Sequence, residues 1–176
     1  MSSSSEYMTT DLRELASETA RFAHARYGDR AAEWDLAREP FPHDERQKLG
    51  DLGLLGICLP EKYDGSGAPL PHALTVIEEL AKVCRPAAFQ VFEANTGPAR
   101  VVELYGTEEQ KARTLPLIAR GAATMAVAIS EPDAGSAATD MRTAARCVPG
   151  GYRLTGRKRW ISNGGEADFY LVYCRF

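Results

Sequence analysis

The stretch Gly121-Ala122-Ala123-Thr124-Met125-Ala126-Val127-Ala128-Ile129-Ser130-Glu131-Pro132-Asp133-Ala134-Gly135-Ser136 is where the apolar period of this chain changes. Upstream of it, apolar residues recur at helical spacing. From Met125 to Ile129 they form a short continuous run that ends in a Pro- and Gly-bearing turn, which is the pattern of a buried strand. This switch predicts an α+β chain: an N-terminal all-α domain over 1–123, then a strand-built domain over 124–176.

Working back from the switch, Thr107 and Gln110 have the spacing of a capping box and open a helix that ends at Gly121. Gly106 closes a helix predicted from Ala87 to Tyr105, which Arg85-Pro86 separates from a stripe of Ala73, Ile77, Leu80, Ala81 and Cys84. The run Leu59-Pro60-Glu61-Lys62-Tyr63-Asp64-Gly65-Ser66-Gly67 breaks any helix. A short helix is predicted over 44–52. The first stripe is Leu12, Leu15, Phe22 and Ala23, with Asp11 and Glu14 read as its capping pair. Working forward, the chain reads as a mixed segment to Val148, a Pro149-Gly150-Gly151 turn, a strand-like run from Tyr152 to Ser162, a turn at Asn163-Gly164-Gly165, and an apolar run from Phe169 to Cys174. Both faces of that last run are apolar, Phe169, Leu171 and Tyr173 against Tyr170, Val172 and Cys174. An edge of this kind wants a neighbour, so pairing or self-association is expected.

Composition narrows the function. With 176 residues, 44% apolar, 26% charged and a formal net charge of -3, the chain is an ordinary globular one. No basic stripe points to nucleic acid. No apolar run reaches the roughly 18 residues of a membrane helix, so no membrane insertion is expected. The Ser-rich start, Met1 to Thr10, lacks the charged and apolar regions of a signal peptide, which predicts a cytoplasmic protein. Cys58, Cys84, Cys147 and Cys174 lie far apart, without metal-ligand spacing, and are expected to be reduced and mostly buried.

Two segments carry chemistry. The turn Glu131 to Ser136 can aim backbone N–H groups and a hydroxyl at a phosphate or carbonyl, because glycine permits close approach; by itself it reads equally as a hairpin turn. In Trp160-Ile161-Ser162 an indole beside a hydroxyl could stack on a planar cofactor and bond its polar edge; by itself Trp160 reads equally as a core residue.

Taken in order, four segments resemble the acyl-CoA dehydrogenase family: Leu54-Leu55-Gly56-Ile57 with Leu59 to Gly65, then Tyr105-Gly106-Thr107-Glu108-Glu109-Gln110-Lys111, then Glu131 to Ser136, then Leu154-Thr155-Gly156-Arg157-Lys158-Arg159-Trp160-Ile161-Ser162-Asn163-Gly164-Gly165. The likeness runs from about residue 10 onward. It implies an FAD enzyme that oxidises an acyl-CoA thioester to the 2,3-enoyl-CoA and passes electrons to an electron-transfer flavoprotein. Such proteins have an N-terminal helical domain, a middle β-barrel-like domain and a C-terminal four-helix domain. The resemblance implies that residues 124–176 are a partial β-barrel-like domain and that the four-helix domain, with the carboxylate base, is absent from this chain. No catalytic residue is therefore assigned here, and Glu93 is not taken as the base. No metal site is expected.

The resemblance assigns Val127, Ile129, Ser130, Gly135, Ser136, Trp160, Ile161 and Ser162 to the flavin and its ribityl-pyrophosphate arm. It assigns Phe89, Gln90, Glu93, Gly97 and Ser136 to the acyl-CoA. Ser130 and Ser162 stand where the family commonly has Thr. Asp133 and Ala137 replace a Gly and an Asp of the family turn, and a carboxylate at Asp133 sits poorly beside a phosphate unless it points away. Gly97 replaces a larger apolar residue. Three readings follow: a truncated dehydrogenase, favoured by the abrupt end at Arg175-Phe176; half of a split enzyme whose partner chain supplies the C-terminal part; or a non-catalytic module that binds FAD, acyl-CoA or a partner. A homo-oligomer is expected of the complete protein.

Overall fold

The structure, a computed structural model, describes residues 8–37 and 40–176; most of the Ser-rich start, read above as no signal peptide, lies outside them. The chain forms two compact units, one ending at Ala122 and the other running from Ala123 to Phe176.

The first unit is helical. Helix α1 (Thr10–Tyr27) is capped by Thr9, whose Oγ1 accepts the Leu12 N–H at 3.4 Å. The expected Asp11–Glu14 pair does not cap it; a Thr one residue before the helix reaches the orphan donor directly. Its buried face is Leu12, Thr19, Ala23 and Tyr27, with Leu15 and Phe22 half-buried. Helix α2 (Arg30–Ala37) was not foreseen from the apolar pattern. It is held by Trp34, whose ring meets Tyr27 at 6.1 Å and Phe41 at 5.7 Å. Helix α3 (His43–Asp51) carries Glu45, fully buried, which accepts bonds from Arg26 at 2.8 and 2.9 Å and from Arg30 at 2.5 Å. A buried carboxylate needs this company.

Helix α4 (Leu70–Ala81) and helix α5 (Arg85–Asn95) both begin with Pro in the first turn, where a missing N–H costs nothing. Ala73, Val76 and Leu80 are the buried stripe of α4; Ala81, placed on it by periodicity, is exposed. The helix expected over Ala87–Tyr105 is two. Gly97, at φ -91° and ψ -135°, separates α5 from α6 (Pro98–Tyr105). Proline disfavours α geometry in the residue before it and clashes with the carbonyl four residues back, so Gly97-Pro98 had to break the helix. Helix α7 (Glu108–Ala119) opens with the full capping box, Gln110 N–H to Thr107 Oγ1 at 3.2 Å and Thr107 N–H to Gln110 Oε1 at 2.8 Å.

The second unit is built from strands. Strand β1 (Met125–Ala128) pairs in parallel with β4 (Phe169–Val172), Met125 opposite Phe169 and Ala128 opposite Val172. Strands β2 (Ala144–Val148) and β3 (Gly151–Thr155) form an antiparallel hairpin around Pro149-Gly150, with Gly150 at φ 83°. A single bridge links Ala144 to Arg175. Among the described residues after Met125 the only helical element is a 3-10 turn, Ala138–Asp140, a small departure from an all-strand expectation. The run from Tyr152 to Ser162 is not one strand: β3 stops at Thr155. Of the four cysteines, all free, only Cys84 is buried, Cys58 and Cys174 are half-buried, and Cys147 is exposed on the β2–β3 hairpin. This corrects the expectation that most were core residues.

Candidate functional site

The site residues of the strand unit come from two segments that the chain ties together at Glu131. Backbone bonds between Glu131 and Ala134, at 2.8 and 3.3 Å, close the turn that follows β1. It is a local tight turn and not one that joins two paired strands, since β1 pairs in parallel with β4. The Glu131 side chain turns inward and accepts the N–H groups of Arg142 at 2.6 Å and Thr143 at 2.9 Å, which fixes the entry to β2. The third donor is Lys158, whose ammonium reaches Glu131 Oε1 at 2.9 Å and the Ile129 carbonyl at 2.8 Å. The Arg142 N–H first, then Thr143 and Lys158, hold the Glu131 carboxyl far below the usual carboxylate range.

One residue on, the Arg159 N–H donates to the Ser130 carbonyl at 2.9 Å. Ser130 and Trp160, thirty positions apart in the chain, are thereby brought to neighbouring strips of backbone. Gly156 sits where a Cβ would lie 2.2 Å from Thr143 Oγ1 and 2.6 Å from Thr143 Cα, so only glycine lets the two segments approach.

Trp160 departs from expectation. It is not on a strand: its φ is 57°, a left-handed conformation uncommon for an aromatic residue. Its indole is 80% exposed, with the Arg159 guanidinium 4.3 Å from the ring centroid. The core-residue alternative is excluded by that exposure. Backbone held in a sparsely populated region to present a large aromatic surface is a cost that sites, not cores, tend to carry. Beyond it, Ile161 is half-buried and Ser162 exposed, and the chain turns tightly at Asn163, also at φ 57°.

The remaining residues of this set fall as follows. Val127, Ile129 and Ser130 are half-buried; Gly135 and Ser136 are exposed. A Cβ on Gly135 would meet open space, so the fold itself does not demand glycine there. Asp133 is exposed and its carboxylate lies 3.8 Å from the Arg142 guanidinium. Glu131, Lys158 and Arg159 were not singled out from sequence. The signal available was slight: a Lys inside a basic run and an acid opening a turn, at a separation no motif prescribes.

The second set lies in the helical unit. Phe89 and Phe92 stack on α5 with centroids 5.8 Å apart and are 37% and 43% exposed. Gln90 is half-buried, Glu93 is buried at 8% exposure, and Gly97 is the break after α5. Phe92 was not among the residues chosen from sequence; its i, i+3 spacing to Phe89 on a helix was the signal that could have found it.

Residues 9–122 match the family model described as the N-terminal domain of acyl-CoA dehydrogenase, and residues 126–176 match that of its middle domain. The chain is 34% identical over 168 residues to the 3-sulfinopropanoyl-CoA desulfinase of Advenella mimigardefordensis, covering 96% of this chain and 41% of that protein. It is 34% identical over 143 residues to an acyl-CoA dehydrogenase of Bacillus subtilis, covering 81% of this chain and 38% of the relative. The glutaryl-CoA dehydrogenase of Mycobacterium smegmatis, solved in complex with FADH2, superimposes with a TM-score of 0.90 at 29% identity, over 97% of this chain and 44% of that one. The chain thus spans about two-fifths of the length of the curated relatives it matches. Over essentially all of its own length, this chain belongs to the acyl-CoA dehydrogenase family.

Proposed function

We propose that this chain is the part of an FAD-dependent acyl-CoA dehydrogenase that contributes the helical wall and the first flavin-binding strands. The complete protein would oxidise an acyl-CoA thioester to the 2,3-enoyl-CoA and deliver electrons to an electron-transfer flavoprotein. One observation carries the reading: the 2.9 Å bond from the Arg159 N–H to the Ser130 carbonyl, which joins the two segments that a flavin site requires.

The residues present fit such a cofactor. Trp160 offers an exposed aromatic plane, the kind of surface on which a planar ring stacks. Ser130 and Ser162 supply hydroxyls, and the Gly135–Ser136 turn is open and free of side-chain bulk at Gly135. When bound, FAD would supply the hydride-accepting chemistry, leaving the protein to bind, orient and exclude water. In that division Val127, Ile129, Ser130, Trp160, Ile161 and Ser162 would hold the flavin, the two serines through their hydroxyls and Trp160 through its aromatic plane. Ser136 would serve the pyrophosphate and the acyl-CoA, and in the helical unit Phe89, Gln90, Glu93 and Gly97 would serve the acyl group. The proton alpha to the thioester needs a base, and that carboxylate belongs to the remaining length that the relatives have.

The test is FAD fluorescence titration of the chain completed to the length of its relatives. Trp160→Ala or Ser130→Ala should each weaken FAD by about 1–2 kcal/mol, the usual size of a stacking or hydroxyl contact. Ser136→Ala should cost less, since backbone N–H groups share a phosphate. Undiminished FAD affinity in the Trp160→Ala protein would remove this motif from the flavin site.

A further inference from the structure

The helical unit contains a cavity of about 370 Å³ that none of the acyl-group residues assigned above lines. It lies where the loop before α4 meets the C-terminal end of α5, bordered by Cys58, Ala68, Pro69, Leu70, Thr96 and Arg100. Its volume falls at the lower end of the range for small-molecule sites.

Its walls are fixed rather than loose. The N–H groups of Ser66, Gly67 and Ala68 donate to the carbonyls of Gly56, Leu59 and Ile57 at 2.8, 2.9 and 2.8 Å. Across from this ladder in sequence, buried Asn95 clamps the same segment to α5. Its Oδ1 accepts the Cys58 N–H at 2.9 Å, and its Nδ2 donates to the Leu54 and Val91 carbonyls at 2.9 Å each. Asn95 is 1% exposed, so the amide cannot turn away to water.

The lining divides chemically. Ala68, Pro69 and Leu70 are hydrocarbon. Arg100 brings a permanent positive charge, and its ion pair to Glu103, at 2.5 Å through one terminal nitrogen, leaves further N–H donors of the guanidinium unspent. Thr96 already donates its hydroxyl to the Phe92 carbonyl at 2.8 Å, so Arg100 is the donor a ligand would meet. Arg100 and Cys58 both line the cavity, and burial pushes the Cys58 thiol up while the Arg100 charge pulls against it.

We propose that this cavity binds a small aliphatic carboxylate, its anionic end on the free edge of Arg100 and its hydrocarbon against Ala68, Pro69 and Leu70, beside the Cys58 thiol. The site is separate from the flavin and acyl-group residues and does not depend on the reading of them.

Cys58 reports on occupancy, and exposed Cys147 in the other unit is the internal reference. Alkylation by iodoacetamide is followed at each cysteine by peptide mass, with butyrate or its neutral isostere butyramide present at equal ionic strength. Butyrate should slow Cys58 several-fold and leave Cys147 unchanged, butyramide should do neither, and Arg100→Gln should abolish the protection. Amide shifts of Ala68 and Thr96 on adding butyrate give a readout independent of the thiol. Equal effects of butyrate and butyramide, or shifts at neither amide with no protection of Cys58, would overturn the proposal. Unaltered protection in the Arg100→Gln protein would remove the anion contact on which it rests.

Discussion

The two units of this chain solve the burial problem in opposite ways. In the helical unit, Leu49, Leu59, Val76, Leu80, Val91 and Leu115 are wholly shielded, and the buried polar side chains of Glu45 and Asn95 each hold several hydrogen bonds. In the strand unit, β3 is exposed along its whole length, and Tyr152, Leu154 and Phe176 are 66%, 51% and 88% exposed. Around Glu131 the strand unit is joined by hydrogen bonds that converge on one carboxylate, from Arg142, Thr143 and Lys158. A hydrophobic core specifies position through many weak contacts; a polar clip does so through a few directional ones, and is correspondingly sensitive to a single change.

That contrast can be broken by mutation. Leu80→Ala, in the centre of α4, should cost about 2–5 kcal/mol, the range for truncating a buried leucine, measured by urea unfolding of the helical unit. A cost near zero would mean that the core is not where stability resides.

The next largest effect belongs to Glu131, and it is tied to pH. Its carboxyl titrates far lower in the folded chain than the roughly 4.3 of a free glutamate. A depressed folded value means stability that is fully present above the unfolded value and lost as pH falls through the folded one. Amide exchange at Phe169 and Tyr173, followed downward from neutral pH, should show the strand unit loosening below about pH 4. Glu131→Gln should exchange faster at neutral pH and lose that acid-dependent slope. A wild-type slope that survives in Glu131→Gln would assign it to another group.

Thr107→Ala removes one half of a capping box and should cost about 1 kcal/mol of helical-unit stability. Smallest of all, Leu154→Ala should stay within about 0.5 kcal/mol, as expected at a surface position. If Leu154→Ala proved as costly as Leu80→Ala, the hairpin face would be covered in solution and the contrast would collapse.

How far the sequence could be read follows the same division. The α7 cap was legible because Thr107 and Gln110 are three residues apart and their bonds are purely local. The α5–α6 break was present in Gly97-Pro98 but was overridden by an apolar pattern that continues across it. Helix α2 was missed because its one large contact, Trp34, packs on Tyr27 and Phe41 rather than extending a stripe, and Leu36 on the same helix is 84% exposed. For the candidate site, Ser130, Ser136 and Trp160 come from the family resemblance that the order of the motifs carries. The motifs did not disclose that Trp160 sits at positive φ, since a strand-like reading of residues 152–162 carries no information on a single backbone angle. Nor did they disclose Glu131 and Lys158, because a contact across 27 residues leaves no periodic trace.

The parallel pairing of β1 with β4 sets an order of events during synthesis. A parallel partner cannot be reached by a tight turn, and here the entire β2–β3 hairpin intervenes. Helices α1 to α7 emerge from the ribosome before β1 and can fold on contacts close in sequence. Met125–Ala128 then waits, an apolar edge without its mate, until Phe169–Val172 has been translated. A nascent chain stalled between Ala144 and Phe169 would present that edge to whatever chaperone or sister chain is nearest, whereas one stalled at Ala122 would not.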